Sequence, residues 1–535
     1  MRVRQARSPS FDKAVSSQNR GTQQPQDSEP QVETFLAPID GWVIDENLAA
    51  TRPNSARQMI NWWPTRTGVR VRGGHVRRAT IPEAVRKLFA YRAGALQFLI
   101  AFSDVGIYDV TNVASPTTNV TPSVAGRTSG DVSAVNFSTG GVDILFTVNG
   151  AEEAIYFDGL SWQTPQIDEF DSSTAVFVFE AGQRLWMVPR DSRTVHYLPI
   201  NQFGGVAQRL PLEASVSGGG SILFGGSISS DSGSGFNDRL VFVTTEGHFL
   251  LYSSTDPLTM SLVGRYSIGS RPLGKDAFFE IGGDIEVLTD EGMVSLNAAI
   301  SRNDVDISLT NRSKPIEPYW QQQAIAKRLS DWQVKLWPSR NLAVVSLPAT
   351  SERQVKECFV SNLETNAWGY TLGWDVQTIE EFDGEMLFGD SSGGIHFMDS
   401  SGSDDGVLYT ATCLLNPKHL GVPDAEKEVH MISTVFRAAT PFRSRITVST
   451  NYADQIPVAP DASPEFDTDN WDEGLWDVAK WDVGLVDETV RVRDSVGETG
   501  FVFSPRIQVT SGTDNMPRIE FTSQTVTYTH GGAMR

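Results

Sequence analysis

The feature that most constrains the fold is a short unit that occurs twice between Leu240 and Leu296. In each copy a run of apolar and β-branched residues ends at an acidic residue followed by glycine, Glu246-Gly247 or Glu291-Gly292, and a second apolar run follows the turn. Positions 247 and 292 lie 45 residues apart. Two strands and a turn that repeat at this length are typical of the four-stranded blades of β-propellers. The unit therefore predicts a blade.

Similar hairpins recur through most of the chain. Their turns fall near positions 106, 150, 192, 247, 292, 351 and 394. One of them, Asn149-Gly150, is a dipeptide that strongly favours β-hairpins. Barrels do not usually repeat at such spacings, whereas propeller blades do. We therefore expect an all-β protein whose residues 83–400 form a β-propeller of six to eight blades, with seven hairpins counted.

Helices are expected at two places. Apolar residues recur at spacings of four, three and four at Ile325, Leu329, Trp332 and Leu336, which predicts a helix within 316–336 that packs on the outside of the propeller. Asn54 is a residue type that caps helices, and it predicts a short helix that continues to Met59.

The two ends of the chain differ in composition from the repeats. Residues 1–34 are rich in Ser, Gln, Arg and Pro and are expected to form a flexible arm, and an ordered leading segment follows at 35–82. Ser400 to Gly406 has the composition of a linker. Residues 401–535 hold short alternating strands, which predict a C-terminal β-sandwich.

Two groups of residues are candidate interfaces. Trp471, Trp476 and Trp481 are five residues apart, which matches neither a helix nor a strand, so they are either interface anchors on a loop or core residues. Three arginines of the arm could bind an acidic neighbour, and a solvated tail is the alternative for them. These arginines are Arg2, Arg4 and Arg7.

Charge and composition exclude several classes of protein. The formal charge is −21, which argues against tight binding of nucleic acid phosphates. No apolar run is long enough for a membrane span, and no apolar region follows the charged amino terminus as it does in secretory signals. Cys358 and Cys413 are too few for a disulfide framework and fit a reducing compartment; both are expected to be buried.

Catalytic and metal motifs are weak. The run from Ser229 to Phe236 is similar to the Asp-box turn of sialidases, but it occurs once and places no catalytic set. The acidic residues at 467–473 lack the glycine of a calcium loop, and the seven histidines have no zinc-ligand spacing. We therefore expect no catalytic residue, no cofactor and no metal.

Several motifs spread along the chain resemble one family. These are Asp40-Gly41-Trp42, Asn61-Trp62-Trp63-Pro64, Val69-Arg70-Val71-Arg72-Gly73-Gly74, Gln183-Arg184-Leu185-Trp186, His196-Tyr197-Leu198-Pro199, Thr255-Asp256-Pro257, the run from Gly369 to Asp375 and the Trp-Asp series. Together they are similar to the tail hub, or nozzle, proteins of short-tailed bacteriophages. The resemblance covers about residues 37 to 535.

That resemblance implies a structural virion protein of the tail, made in the host cytoplasm, rather than an enzyme. Such proteins form rings, usually hexamers, below the portal and adaptor. They extend the DNA channel, keep it closed until DNA ejection, and dock fibres or spikes. DNA would therefore contact the protein only transiently, as it passes along an acidic channel wall. One alternative is a propeller that acts as a receptor-binding or scaffold protein. A carbohydrate-active propeller enzyme is the third.

Overall fold

A computed structural model of the chain describes residues 29–44, 47, 51–216, 219–231, 236–301, 311–328, 331–349, 355–453, 456–464 and 487–530. These residues are mostly in β-strands, and their α-helices are Leu296–Ser301 and Glu317–Ala326. Short 3-10 turns lie at Ser172–Thr174, Lys314–Ile316 and Pro338–Arg340. The prediction of an all-β protein is confirmed.

Seven antiparallel sheets follow one another in the described chain, and the predicted hairpins supply the second and third strand of each. Sheet one contains Lys87–Ala93, Leu96–Phe102, Gly106–Asp109 and Val124–Ala125; sheet two contains Ser133–Ser138, Asp143–Val148, Ile155–Phe157 and Trp162–Gln163; sheet three contains Ala175–Ala181, Arg184–Pro189, Thr194–Tyr197 and Gln208–Pro211. Sheet four contains Ile222–Asp231, Phe236–Thr244, His248–Tyr252 and Leu262–Ser267, and sheet five contains Phe278–Ile281, Asp284–Thr289 and Gly292–Ser295. Sheet six begins with Gln333–Trp337, Leu342–Leu347, Glu357–Asn362 and Trp368–Leu372; sheet seven contains Thr378–Phe382, Glu385–Gly389 and Gly394–Ser401.

The repeated unit of the sequence forms the central hairpins of sheets four and five. Val241, Phe242 and Val243 are all fully buried, because sheet four packs against a neighbouring sheet on each face. Gly247 lies in the turn that follows the strand, at φ +79°, and a Cβ there would lie 2.1 Å from the carbonyl oxygen of Ser270. The apolar run and its terminal glycine are therefore both required by the packing of the sheets.

The seven sheets succeed one another in circular order. The first strand of each sheet lies against the next sheet, and that of sheet seven lies against that of sheet one. The hydrophobic core is divided in the same way. Tyr91 packs with Leu145 between sheets one and two, and Leu387 packs with Leu88 between sheets seven and one.

The N-terminal part of the chain completes sheet seven. Strand Gly74–Thr80 pairs antiparallel with Gly394–Ser401, so a strand that precedes sheet one supplies the fourth strand of the last sheet. A two-stranded parallel pair, Ile167–Asp168 with Gly205–Val206, lies between sheets two and three in sequence.

The C-terminal strands extend sheet six and form one further sheet, and we call this extension and the further sheet the two C-terminal sheets. The extension continues sheet six in the order Trp368–Leu372, Ala56–Ile60, Tyr409–Leu415, Phe503–Ser511 and Ser444–Thr450. The other has the order Trp62–Pro64, Val69–Val71, Ile519–His530, Lys427–Ala438 and Glu488–Gly500, and Gln31–Leu36 also pairs with Ile519–His530. Ile507 of one sheet and Phe436 of the other belong to the same core.

The predicted helix at 316–336 is only partly correct. Glu317–Ala326 is helical, but Gln333–Trp337 is a strand. Trp320 and Ala324 form the buried side of the helix, whereas Ile325 is 79% exposed.

Two other sequence expectations are wrong. The predicted helix to Met59 is strand Ala56–Ile60, since one strand pairs with it on each side. The predicted linker at Ser400–Gly406 contains buried Ser401, Ser403 and Asp404, because this run packs against the N-terminal strands.

Candidate functional site: the axial cavity

A cavity of about 530 Å³ lies at the centre of the seven sheets. We call it the axial cavity, since the first strand of every sheet contributes to its wall. Gly225 lines it in sheet four, and a Cβ there would lie 2.5 Å from the ring of Phe179. One residue from each sheet in turn is Arg92, Asn136, Glu180, Gly226, Glu280, Lys335 and Glu381.

The mouth of the cavity, where the first strands end, is rich in carboxylates. Arg92 Nη2 lies 2.7 Å from Glu381 Oε2, and Lys335 Nζ lies 2.8 Å from Glu380 Oε2. The described residues provide no ion pair for Glu180 or Glu280. The mouth therefore carries an excess of negative charge.

The environment of Glu280 disfavours its ionised form. Its side chain reaches the water of the cavity but has protein around it, and this partial burial raises the pKa of its carboxyl group, with a further contribution from Glu180. The Glu180 carboxylate accepts a hydrogen bond of 2.9 Å from the backbone N–H of Gln183. A cation bound between the two carboxylates would relieve their repulsion.

The opposite end, which we call the floor, is occupied by a network of paired charges. Lys87 Nζ donates to Asp276 and lies 4.0 Å from Asp131 Oδ1, and Lys275 Nζ lies 2.8 Å from the same Asp131 oxygen. Lys275 also donates to the backbone carbonyls of Asp131 and Val176, each at 3.2 Å. Salt bridges thus close the cavity at the floor and tie sheet one to residues that precede sheets two and five.

The floor charges hold one another in the ionised state. Burial lowers the pKa of Lys87, but Asp276, Asp131 and Asp331 outweigh it and raise that pKa above its ordinary value. Burial likewise opposes ionisation of Asp276, but Lys87 and Lys275 lower its pKa. Burial dominates at Asp331 and raises its pKa.

This geometry limits what the cavity can do. It is open to water at an acidic mouth and closed by salt bridges at the floor. A small cationic solute or a basic side chain fits the charge and volume of the mouth. A DNA duplex could not pass along this axis without separating the sheets.

A second cluster of polar residues, which we call the seam, joins the N-terminal strands to residues 390–405. The Arg72 guanidinium is fully buried and donates to both carboxylate oxygens of Asp404 at 2.8 Å. It also lies over the rings of Trp374 and Tyr409, 4.5 Å and 3.9 Å from their centroids. Arg70 makes the same paired contact with Asp399, at 3.0 and 2.6 Å.

A buried chain of two histidines and an aspartate continues the seam. His75 Nδ1 lies 3.1 Å from His396 Nδ1, and His396 Nε2 lies 2.9 Å from Asp390 Oδ2. Burial, together with His396, lowers the pKa of His75 to about 4. Burial alone would raise the pKa of Asp390, but hydrogen bonds from His396, Ser392 and the Gly394 N–H outweigh it and hold that pKa below its ordinary value. All three side chains are buried, so this row of two histidines and an aspartate links strand Gly74–Thr80 to the other strands of sheet seven.

The sequence-predicted interface residues cannot be placed at either cluster. Trp471, Trp476, Trp481, Arg2, Arg4 and Arg7 lie outside the described residues. The side chain of Asp231, in the run from Ser229 to Phe236 that is similar to an Asp-box turn, also lies outside them. Cys358 and Cys413 are free and buried, as predicted, and burial raises the pKa of each thiol to about 12.

Within the described part of the chain, no group of three or more His, Cys, Asp or Glu side chains is arranged to hold a metal ion. None of the described helices is long and apolar enough to span a membrane.

Sequence reasoning missed the mouth residues, although a signal for them exists. Arg92-Ala93-Gly94, Glu180-Ala181-Gly182 and Glu280-Ile281-Gly282 each place a charged residue two positions before the glycine that joins the first and second strands. These glycines have positive φ. Charged residues at one repeated position predict a ring of charge around an axis.

No protein-family model matches the sequence, and no curated protein matches it. Solved structures similar in shape include the WD40 beta propeller domain of Doa1, with a TM-score of 0.37 and 10% identity over 61% of this chain and 97% of that chain. YCF48 bound to a D1 peptide has a TM-score of 0.35 and 10% identity over 67% and 97% of the two chains. The computationally designed Ika8 protein has a TM-score of 0.35 and 10% identity over 60% and 99%.

Proposed function

We propose that the seven sheets are the blades of one β-propeller and that the two C-terminal sheets form a β-sandwich. The circular succession of the sheets and the division of the core between successive sheets support the propeller. The common core of Ile507 and Phe436 supports the sandwich. Strand Gly74–Thr80 would then close the propeller by completing its last blade.

We further propose that the chain is a structural virion protein, a ring-forming tail hub or nozzle of a short-tailed phage. The motifs from Asp40 to the Trp-Asp series are the sequence basis for this function. Its partners would be further copies of itself in a hexameric ring, the portal or adaptor protein, and a fibre or spike.

One structural observation carries the proposal: the seven sheets and the two C-terminal sheets are joined to each other by paired strands. Strand Ala56–Ile60 pairs with Trp368–Leu372 on one side and with Tyr409–Leu415 on the other. The paired contacts of Arg70 and Arg72 add a buried seam beside it. Units joined by a shared sheet and by buried ion pairs are suited to carry load in a tail, whereas enzymes that close over substrates need a hinge between their units.

The closed floor of the axial cavity supports a DNA channel between copies of the chain. Lys87 and Lys275 are paired across the axis, so a channel for DNA would lie between copies of the chain and not within one. A net charge of −21 supports a wall along which DNA slides, because few cations would retain its phosphates.

One observation favours a second candidate. The open, acidic mouth formed by Glu180 and Glu280 would suit a monomeric scaffold or receptor-binding propeller that takes a basic group of a partner at its axis. That function requires no ring.

The mass of the full-length protein in solution distinguishes these functions. Native mass spectrometry, followed by electron microscopy of the same sample, should give a closed ring with a central opening between subunits. A protein that remains monomeric at the highest attainable concentration, also in the presence of portal and adaptor, would contradict the tail-hub proposal.

A further inference from the structure

The outward face of one C-terminal sheet has the composition of an interface. Its strands are Gln31–Leu36, Ile519–His530, Lys427–Ala438 and Glu488–Gly500, and the residues that face away from the core form rows across them. One row is Leu36, Ser523, Val435 and Arg491; the next is Thr34, Thr525, Ser433 and Arg493. We call this surface the arginine face.

Large apolar side chains on this face are open to solvent. Val32 is 61% exposed, Leu36 is 54% exposed and Met431 is 39% exposed. Val32 and Met431 both lie opposite Thr527, so they belong to one row. Apolar residues grouped on an exposed surface indicate contact with another protein.

The two arginines of the face carry unneutralised charge. Arg491 and Arg493 are exposed, and no described carboxylate forms an ion pair with either of them. The neighbouring Arg437 pairs with Asp487 at 2.9 Å. In a chain with a net charge of −21, this is a positive patch that an acidic surface would complement.

The same chain carries such an acidic surface. No Lys, Arg or His occurs from Thr128 to Gln183, a stretch that covers all of sheet two and the beginning of sheet three. From outside this stretch, Arg127 pairs with Glu152 and Arg190 donates to the backbone carbonyl of Gly150. Glu153, Asp168, Glu169 and Asp171 are exposed there, and none of the four forms an ion pair with a described residue. We call these four residues the acidic sector.

The two surfaces lie on different sides of the molecule. The C-terminal sheets are joined to sheet six through Ala56–Ile60 and to the end of sheet seven through Arg70 and Arg72. In the circular order of seven, sheets two and three are at least two places from both sheet six and sheet seven. The arginine face is therefore not next to the acidic sector of its own chain, and it can meet that of another copy.

We infer that the arginine face binds the acidic sector of a second copy of this chain. The contact is heterologous, with different surfaces on the two copies, so repetition closes a ring when the rotation between copies permits it. The apolar residues Val32, Leu36 and Met431 would be buried in the contact, and Arg491 and Arg493 would pair with the carboxylates. This inference rests on the proposed ring and names the surfaces that form it.

Charge reversal in the full-length protein tests the pairing. Arg491→Glu with Arg493→Glu should weaken self-association at least tenfold in sedimentation velocity, and so should Glu153→Lys with Asp168→Lys and Glu169→Lys. The two sets combined in one chain should restore association. Arg265→Glu with Arg271→Glu reverses two exposed arginines in and after the last strand of sheet four, away from both surfaces, and should leave the mass unchanged. Circular dichroism of each variant checks that it is folded.

Each result has one meaning. Unchanged assembly of the Arg491→Glu, Arg493→Glu variant would overturn the inference and leave the ring proposal standing. Loss of assembly without restoration by the lysine set would also overturn it, because the acidic partner would then lie elsewhere, such as the run at 465–487. A wild-type protein that never associates would overturn both proposals. If the Arg491→Glu, Arg493→Glu variant lost affinity for a DNA duplex while its mass was unchanged, the arginine face would be a DNA contact instead of a contact between copies.

Discussion

Arg72 and Asp404 are 332 positions apart in sequence and form a two-point ion pair inside the protein, with both N–O distances at 2.8 Å. The guanidinium is fully buried, and Trp374 also donates to the Asp404 carboxylate at 2.8 Å. The pair connects the N-terminal strands to the residues that follow sheet seven.

Removal of one partner of this pair should be strongly destabilising. Arg72→Met leaves the Asp404 charge buried without its partner, and we expect a loss of about 3–5 kcal/mol in the free energy of unfolding. Arg72→Met with Asp404→Leu removes both charges and should be less destabilising than either single change. Urea unfolding of the three variants measures this, and additive losses would contradict a direct pair.

Stability should fall in mild acid because of His75. Its pKa is lowered to about 4 in the folded protein, below the ordinary value of 6.5. The unfolded chain therefore takes up a proton first, so stability is fully present above pH 6.5 and is lost as pH falls toward 4. We expect the free energy of unfolding to fall by roughly 2–3 kcal/mol between about pH 7.5 and 4.5.

The variant His75→Gln isolates this effect. It should lower stability at neutral pH and flatten the dependence on pH across the same range. His430→Gln changes a histidine whose side chain is 41% exposed and should leave the dependence intact. Parallel curves for wild type and His75→Gln would be evidence against the titration of His75.

Two glutamates of the axial mouth should respond in opposite directions. The pKa of Glu280 is raised in the folded protein, so an ionised Glu280 lowers the stability of the fold at neutral pH. Glu280→Gln should raise the melting temperature at pH 7, and the gain should disappear below the ordinary glutamate pKa. Glu381→Gln removes the partner of Arg92 and should lower the melting temperature by a degree or so. Equal effects of the two changes would refute this description of the mouth.

The tryptophan series remains a prediction of the sequence. Burial of an interface aromatic is worth about 2 kcal/mol or more, so Trp476→Ala should weaken ring assembly while the propeller stays folded. Leu258→Ala, at a side chain 81% exposed, is the matched control. Normal assembly of a variant with alanine at 471, 476 and 481 would exclude an interface role.

Local patterns predicted the hairpins because the necessary information lies within each turn. Asn149-Gly150 and Glu246-Gly247 specify a reversal without reference to the rest of the chain. Ala56–Ile60 was mistaken for a helix because pairing with Trp368–Leu372 and Tyr409–Leu415 outweighs local propensity.

The sites were less predictable than the hairpins for the same reason. Ser400 to Gly406 is polar in composition, and only the partner Arg72 explains the burial of Asp404. The charges of the axial cavity come from strands that are distant in sequence, so a single carboxylate such as Glu280 has no local signature beyond its position before a turn.

The pairing of Gly74–Thr80 with Gly394–Ser401 sets an order for biosynthesis. The N-terminal strand leaves the ribosome more than 300 residues before its partner, which at about 5–20 residues per second is a delay of tens of seconds. During that time the nascent chain exposes an unpaired strand edge, which is prone to aggregation. Completion of sheet seven is therefore a late event in folding, and a chain that stops before residue 394 cannot reach it.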